Sequence, residues 1–192
     1  MDFQLSDRAQ QLIPKARIVS FTAWKGAHSP ETIARFQAAD DERRYLTDAD
    51  LAGLEASPGA QAARLLRDRA DEIITEARSQ VLERFPQITE PGGDLYPPLR
   101  AQACWRDFWH FLRCITYGVA GGNLNYTNEE GLHYMELLYQ ELNVPLPAMV
   151  VGLEALKEAS LQRLGSDRAA EFAPYFDQTI AALKSFRDKP SS

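Results

Sequence analysis

The sequence predicts an all-α fold, and three observations carry that prediction. No stretch alternates apolar and polar residues over a useful strand length, and no Asn-Gly pair marks a hairpin. Apolar residues recur instead at steps of three and four. Proline and glycine fall between these periodic segments, where helices start and stop.

Ser29-Pro30-Glu31-Thr32 joins a capping serine to a proline at the first helical position, so a helix is expected through Phe36 toward Tyr45. Thr47-Asp48-Ala49-Asp50 opens a second, short one that stops near Ser57-Pro58-Gly59. The clearest pattern is Leu66, Ala70, Ile73, Ile74, Ala77, Val81 and Phe85, with charged residues on the other faces and Pro86 as its end. Pro91-Gly92-Gly93 is a turn, and Pro97-Pro98 leads into a strongly apolar helix from Leu99 to Val119. Gly121-Gly122-Asn123 breaks it, and a shorter helix follows from Asn128 to Leu142. Pro145 and Pro147 separate that helix from one reaching Leu164, with Gly165 as its C-terminal cap. The last helix carries Phe172, Phe176, Ile180 and Leu183, and the tail Lys189-Pro190-Ser191-Ser192 is expected to fray. Helices joined by short loops argue for a helix-on-helix architecture.

The 192 residues fit one domain with some excess for an extension. A net charge of −6 and a pI of about 5.1 disfavour binding to a phosphate backbone, and no dense Lys/Arg run overrides that balance. No apolar run is long enough to span a bilayer, and the N-terminus lacks the basic and apolar regions of a secretory signal. Cys104 and Cys114, ten residues apart on one predicted helix, lie about 15 Å apart, too far for a disulfide, so a reduced, cytoplasmic setting is expected. No nucleophile–base pair, metal-spaced cluster or phosphate loop argues for catalysis, so the chain is not expected to be an enzyme.

The chemistry-bearing stretch runs from Pro91 to Gly118. Arg100, Cys104, Asp107 and Phe111 follow at steps of four, three and four, which sets a cation, a thiol, a carboxylate and a ring along one helix face. Trp105, Phe108 and Trp109 surround them with apolar surface. A carboxylate there needs a donor or a positive charge. A protonated linear tetrapyrrole offers both, a thiol one turn away can add to it, and nearby arginines can clamp its propionates. Spacing alone equally allows Cys104 to be inert core and Asp107 to pair with His110.

The run Ala103-Cys104-Trp105-Arg106-Asp107, followed by Leu112-Arg113-Cys114-Ile115-Thr116-Tyr117-Gly118, resembles the signature of the phycobiliproteins, and of their allophycocyanin branch in particular. Ala39 to Leu46, Phe85-Pro86 with Pro91-Gly92-Gly93, and Tyr175-Phe176-Asp177 with Ile180 and Ala182-Leu183 resemble further family segments in the same order, from about residue 35 to 184. The resemblance implies a globin-like fold with two extra N-terminal helices that pack on a partner subunit. Residues 1–28 are then an N-terminal extension, 29–186 the globin-like domain and 187–192 a flexible tail.

It also implies phycocyanobilin or a related bilin, thioether-linked at Cys104, with Asp107 accepting from the pyrrole N–H groups. Arg106 and Arg100 match propionate contacts, and Tyr117 a pocket-side tyrosine. Asp40 and Arg113 match an interchain salt bridge, with Arg44 and Tyr45 in the same contact. The implied function is light harvesting and excitation transfer in a phycobilisome-type antenna, in the cytoplasm and peripheral to the thylakoid membrane. The implied partners are other phycobiliprotein subunits, as hetero- or homodimers or rings, and linker proteins. The chain departs from the pattern at Asp94, at Trp105, Trp109 and His110, whose bulk either tunes the pigment or blocks its pocket, and in its extension. Phe3, Leu5, Leu12, Ile13, Ile18, Val19, Phe21 and Trp24 make that extension too apolar for a free linker, so it is expected to dock on its own domain or on another chain. A pigment-free assembly subunit is the alternative, and a haem-binding globin using His110 or His133 a remoter one.

Overall fold

Helix α2 (Pro30–Asp41) starts where Ser29 accepts a hydrogen bond from the Thr32 amide and Pro30 fills the first helical position. A computed structural model describes residues 5–187, so Phe3 and the tail from Lys189 lie outside the described residues. The Ser-Pro signal recurs at Ser57-Pro58, where the sequence predicts a stop. Ser57 instead accepts from the Ala60 amide and begins α3 (Pro58–Asp68). The short helix expected from Thr47 is a run of turns over 48–56. There the Asp50 carboxylate accepts from both the Thr47 amide and hydroxyl at 2.7 Å, and Thr47 Oγ1 accepts from the Asp50 amide. Such local side-chain bonds compete with the helical ladder.

The long periodic segment divides at Arg69, whose φ of −112° interrupts it, into α3 and α4 (Ala70–Arg84). Helix α5 (Pro98–Gly121) is the longest and ends at Gly122 in the left-handed region. Asn128 caps α6 (Glu129–Leu142) by accepting from the Gly131 amide. Helix α7 (Leu146–Leu164) stops at Gly165, and α8 (Ser166–Lys184) follows directly. Helix α5 packs against α3, α4, α7 and α8, and its Phe108, Phe111, Leu112 and Ile115 are fully buried among Leu66, Ile73, Leu156 and Phe176. Burying side chains of this size stabilises the fold by about 1.5–3 kcal/mol each.

The extension docks on its own domain. Ser6 caps α1 (Asp7–Leu12), which lies along α6. The Ser20 amide donates to Tyr126 O at 2.9 Å and the Asn128 amide to Ile18 O at 2.8 Å, around an antiparallel bridge of Val19 with Thr127. Trp24 is fully buried and its Nε1 donates to Asn125 O at 3.0 Å. Helix α1 thus belongs to the extension, and α2 is the first helix of the domain expected from residue 29. No described helix is long and apolar enough to cross a membrane.

Candidate functional site

A cavity of about 810 Å³ lies between α5, α6 and the segment before α2, large enough for a ligand of several rings. Arg100, Cys104, Asp107 and Phe111 line it, as their spacing along α5 predicts, and Arg106, which only the resemblance implied, lines it too. Trp105 and Trp109 do not line it. Trp105 lies under the Arg78 guanidinium, 5.4 Å from its ring centre, and Trp109 packs edge-on to Tyr45 at 4.9 Å. The indoles therefore leave the cavity open.

Cys104 is 4% exposed, and its Sγ lies 3.1 Å from Met149 Sδ of α7. Burial, helped by the charge of Asp107, pushes the thiol well above its ordinary range, so the sulfur holds its proton at neutral pH. Asp107 takes its hydrogen bond from Tyr139 of α6, whose hydroxyl donates to Oδ2 at 3.1 Å, and not from His110. Burial lifts the Asp107 carboxyl to about 6, while the Tyr139 bond and the charge of Arg106 pull against that rise. A carboxylate in that state gains from any further N–H donor.

The cations around the cavity divide into two kinds. Arg100 is tied to backbone, donating to Asp94 O at 3.0 Å, Leu142 O at 3.0 Å and Asn143 O at 2.9 Å, and so it closes the C-terminal end of α6. Arg106 and Arg43 line the cavity, and their guanidinium groups have no hydrogen-bond or ion-pair partner among the described residues. Arg43 follows α2 at φ +55°. Its amide donates to Asp40 O and the Arg44 amide to Ala39 O, a turn whose left-handed position usually carries glycine. His110 stands among these charges. Burial together with Arg113, Arg43 and Arg106 lowers it to about 4, so it is neutral at pH 7.

The pair implied to bridge two chains closes within one. Arg113 Nη1 donates to Asp40 Oδ1 at 2.9 Å, and both side chains are about 5% exposed. The reason is the packing of α2. Phe36 and Ala39 are fully buried, and Phe36 stacks edge-on with Trp24 at 5.2 Å and with Tyr117 at 6.3 Å. That lays α2 on its own domain with Asp40 over Arg113. Arg44 and Tyr45 are likewise met in their own chain: Arg44 pairs with Asp50 and Glu42 at 2.5 Å, and the Tyr45 hydroxyl donates to Trp109 O at 3.4 Å. Tyr117 is not pocket-side. Its hydroxyl accepts from Arg113 Nη1 at 2.6 Å and donates to Arg44 O, away from the cavity.

Four residues of the site escaped the sequence reading: Tyr139, Met149, Arg43 and Arg17. Tyr139 continues the apolar stripe of Leu132 and Met135 on α6, so its polar tip was the available signal. Arg17 Nη2 donates at 2.7 Å to both Asp40 and Asp41, so Asp40 holds a cation on each side.

A model of the phycobilisome protein family matches residues 34–183. The chain belongs to that family. This phycobilisome protein is 38% identical over 147 residues to the allophycocyanin subunit alpha-B of Synechocystis sp., an overlap covering 74% of this chain and 91% of that relative. It is 35% identical over 150 residues to the allophycocyanin alpha-B chain of Porphyra purpurea, covering 76% and 93%. It is 34% identical over 151 residues to the allophycocyanin alpha chain of Cyanophora paradoxa, covering 76% and 94%. The protein is thus an allophycocyanin-like phycobiliprotein with that family's all-α, globin-like fold. The segment ahead of residue 34 lies outside the family match.

Proposed function

We propose that this phycobiliprotein carries a bilin, phycocyanobilin or a close relative, joined by a thioether to Cys104, and passes excitation energy within a phycobilisome. One observation carries the reading: the Cys104 sulfur and the Asp107 carboxyl open on the same 810 Å³ cavity, one helical turn apart. The residues fit the group. Asp107, raised to about 6, is an acceptor that N–H donors would return to its charged form. Arg106 and Arg43 offer guanidinium groups to carboxylates, whereas Arg100 already serves three carbonyls. The bilin, when bound, supplies the absorption of visible light.

The protein's part is to orient and to stiffen. Phe111, Leu138 and Met135 line the cavity with dense apolar surface, which excludes water and limits rotation of what it holds. Cys104 would hold the group covalently, and Asp107 would meet its N–H donors and so favour their protonated form. The Cys104 thiol keeps its proton at neutral pH, so attachment needs an agent or a pH that removes it. Assembly with other phycobiliprotein subunits and linker proteins, at the thylakoid surface, belongs to the same reading. A partner that takes Arg113 from Asp40 must return a carboxylate, because a buried guanidinium left alone is costly.

The test is co-production with bilin synthesis, followed by zinc-enhanced fluorescence of the denatured band. Wild type is expected to glow and Cys104→Ala to stay dark. A dark wild-type band from bilin-producing cells would leave the pigment-free assembly role instead.

A further inference from the structure

The cavity has a wall that the family match does not contain. Leu5, Ile13, Ala16, Arg17 and Ile18 line it, all ahead of the matched span 34–183. The relatives named above are covered over 91–94% of their length, yet about a quarter of this chain stays outside the same overlaps. The wall is anchored at three places. Helix α1 lies on α6, and Ser6 Oγ donates to Glu141 Oε1 at 2.7 Å. Ile18 O accepts from the Asn128 amide. Arg17 reaches across to Asp40 and Asp41, and Asp40 in turn holds Arg113 of α5. Gly131 of α6 admits the backbone: a Cβ there would stand 2.0 Å from Arg17 O.

We infer that residues 5–18 are a resident part of the ligand site, a wall of aliphatic side chains held in place by Arg17, with which this chain itself covers one side of its ligand. The wall's chemistry selects the ligand face it meets. Leu5, Ile13, Ala16 and Ile18 offer only apolar surface, and the single cation among them is turned to Asp40 and Asp41. A flat, conjugated face fits against such a surface, while carboxylates are left to Arg43 and Arg106 on other walls. Arg17 is a positioning residue, acting through Asp40. The identity of the ligand rests on the pigment reading; the wall does not.

The test uses full-length, ligand-free protein. Alkylation of Cys104 by a small maleimide is followed by peptide mass mapping, in wild type, Arg17→Ala, Arg17→Lys and Gly131→Ala. Opening the wall is expected to speed labelling about tenfold in Arg17→Ala and Gly131→Ala, with Arg17→Lys near wild type. Phe176→Leu, which lowers stability from a buried α8 position that does not line the cavity, is the control for general loosening, and its rate is expected to stay near wild type. Equal rates in wild type and Arg17→Ala overturn the inference, as does an equal rise in Phe176→Leu. Protected Cys104 in a chain that takes up no pigment supports the wall and sinks the pigment reading alone.

Discussion

Replacing Asp40 with alanine tests the internal clasp most sharply. Arg113 is 6% exposed, its Nε already lacks a partner, and its remaining side-chain bond is to the Tyr117 hydroxyl. Removing one member of a buried ion pair costs about 3–5 kcal/mol, because the other charge stays buried without compensation. Arg17 adds little. It is 34% exposed and keeps Asp41, so its share is under about 1 kcal/mol. A loss of about 4 kcal/mol corresponds to a fall in Tm of roughly 8–16 °C for a chain of this size. Asp41→Ala, at a side chain 58% exposed, is expected to change stability by less than about 0.5 kcal/mol. Urea unfolding of the ligand-free protein at two concentrations measures both. The cost of Asp40→Ala should be the same at each concentration, since its partners lie in the same chain. A loss under about 1 kcal/mol, or one that appears only at high concentration, would refute the internal pairing.

Three further outcomes follow from the cavity. Asp107, at about 6 in the folded chain against about 3.9 unfolded, favours folding fully below the lower value and loses that contribution as pH rises through the upper. His110, at about 4 against about 6.5 unfolded, contributes above the higher value and loses it as pH falls through the lower. The two slopes oppose each other between about pH 4 and 6, so Asp107→Asn should leave a protein that weakens on acidification and His110→Gln one that weakens as pH rises; identical urea profiles for the two variants would contradict both assignments. Tyr139→Phe removes the donor to Oδ2 and should raise the Asp107 pKa by about one unit, read from its carboxyl carbon in an NMR titration.

Local chemistry was legible where one residue dictates one geometry. Ser29-Pro30, Asn128 and Gly165 mark helix ends in the sequence and stand at helix ends in the fold. The Thr47–Asp50 segment misled because the same Thr and Asp that can open a helix can also bond to each other, and here they do. Cys104 and Asp107 were legible as neighbours because both stand on one helix. Tyr139 comes from another helix 32 residues on, and no periodicity reports a contact across that distance. Tyr117 follows Cys104 by thirteen residues, and at about 100° per residue that places it across the helix from the sulfur, toward Arg113 and Asp40. The extension was legible as apolar and therefore docked; that it lines the cavity depends on the tight approach at Gly131, a tertiary fact.

The central claim turns on one sulfur. Trypsin cuts after Arg100 and Arg106, so Cys104 leaves in the peptide Ala101–Arg106, while Cys114 leaves in a separate peptide that begins after Arg113. Mass mapping of protein made in bilin-producing cells should find one open-chain tetrapyrrole added to the Ala101–Arg106 peptide and none on Cys114. An unmodified Ala101–Arg106 peptide, or pigment on Cys114 alone, would contradict the account.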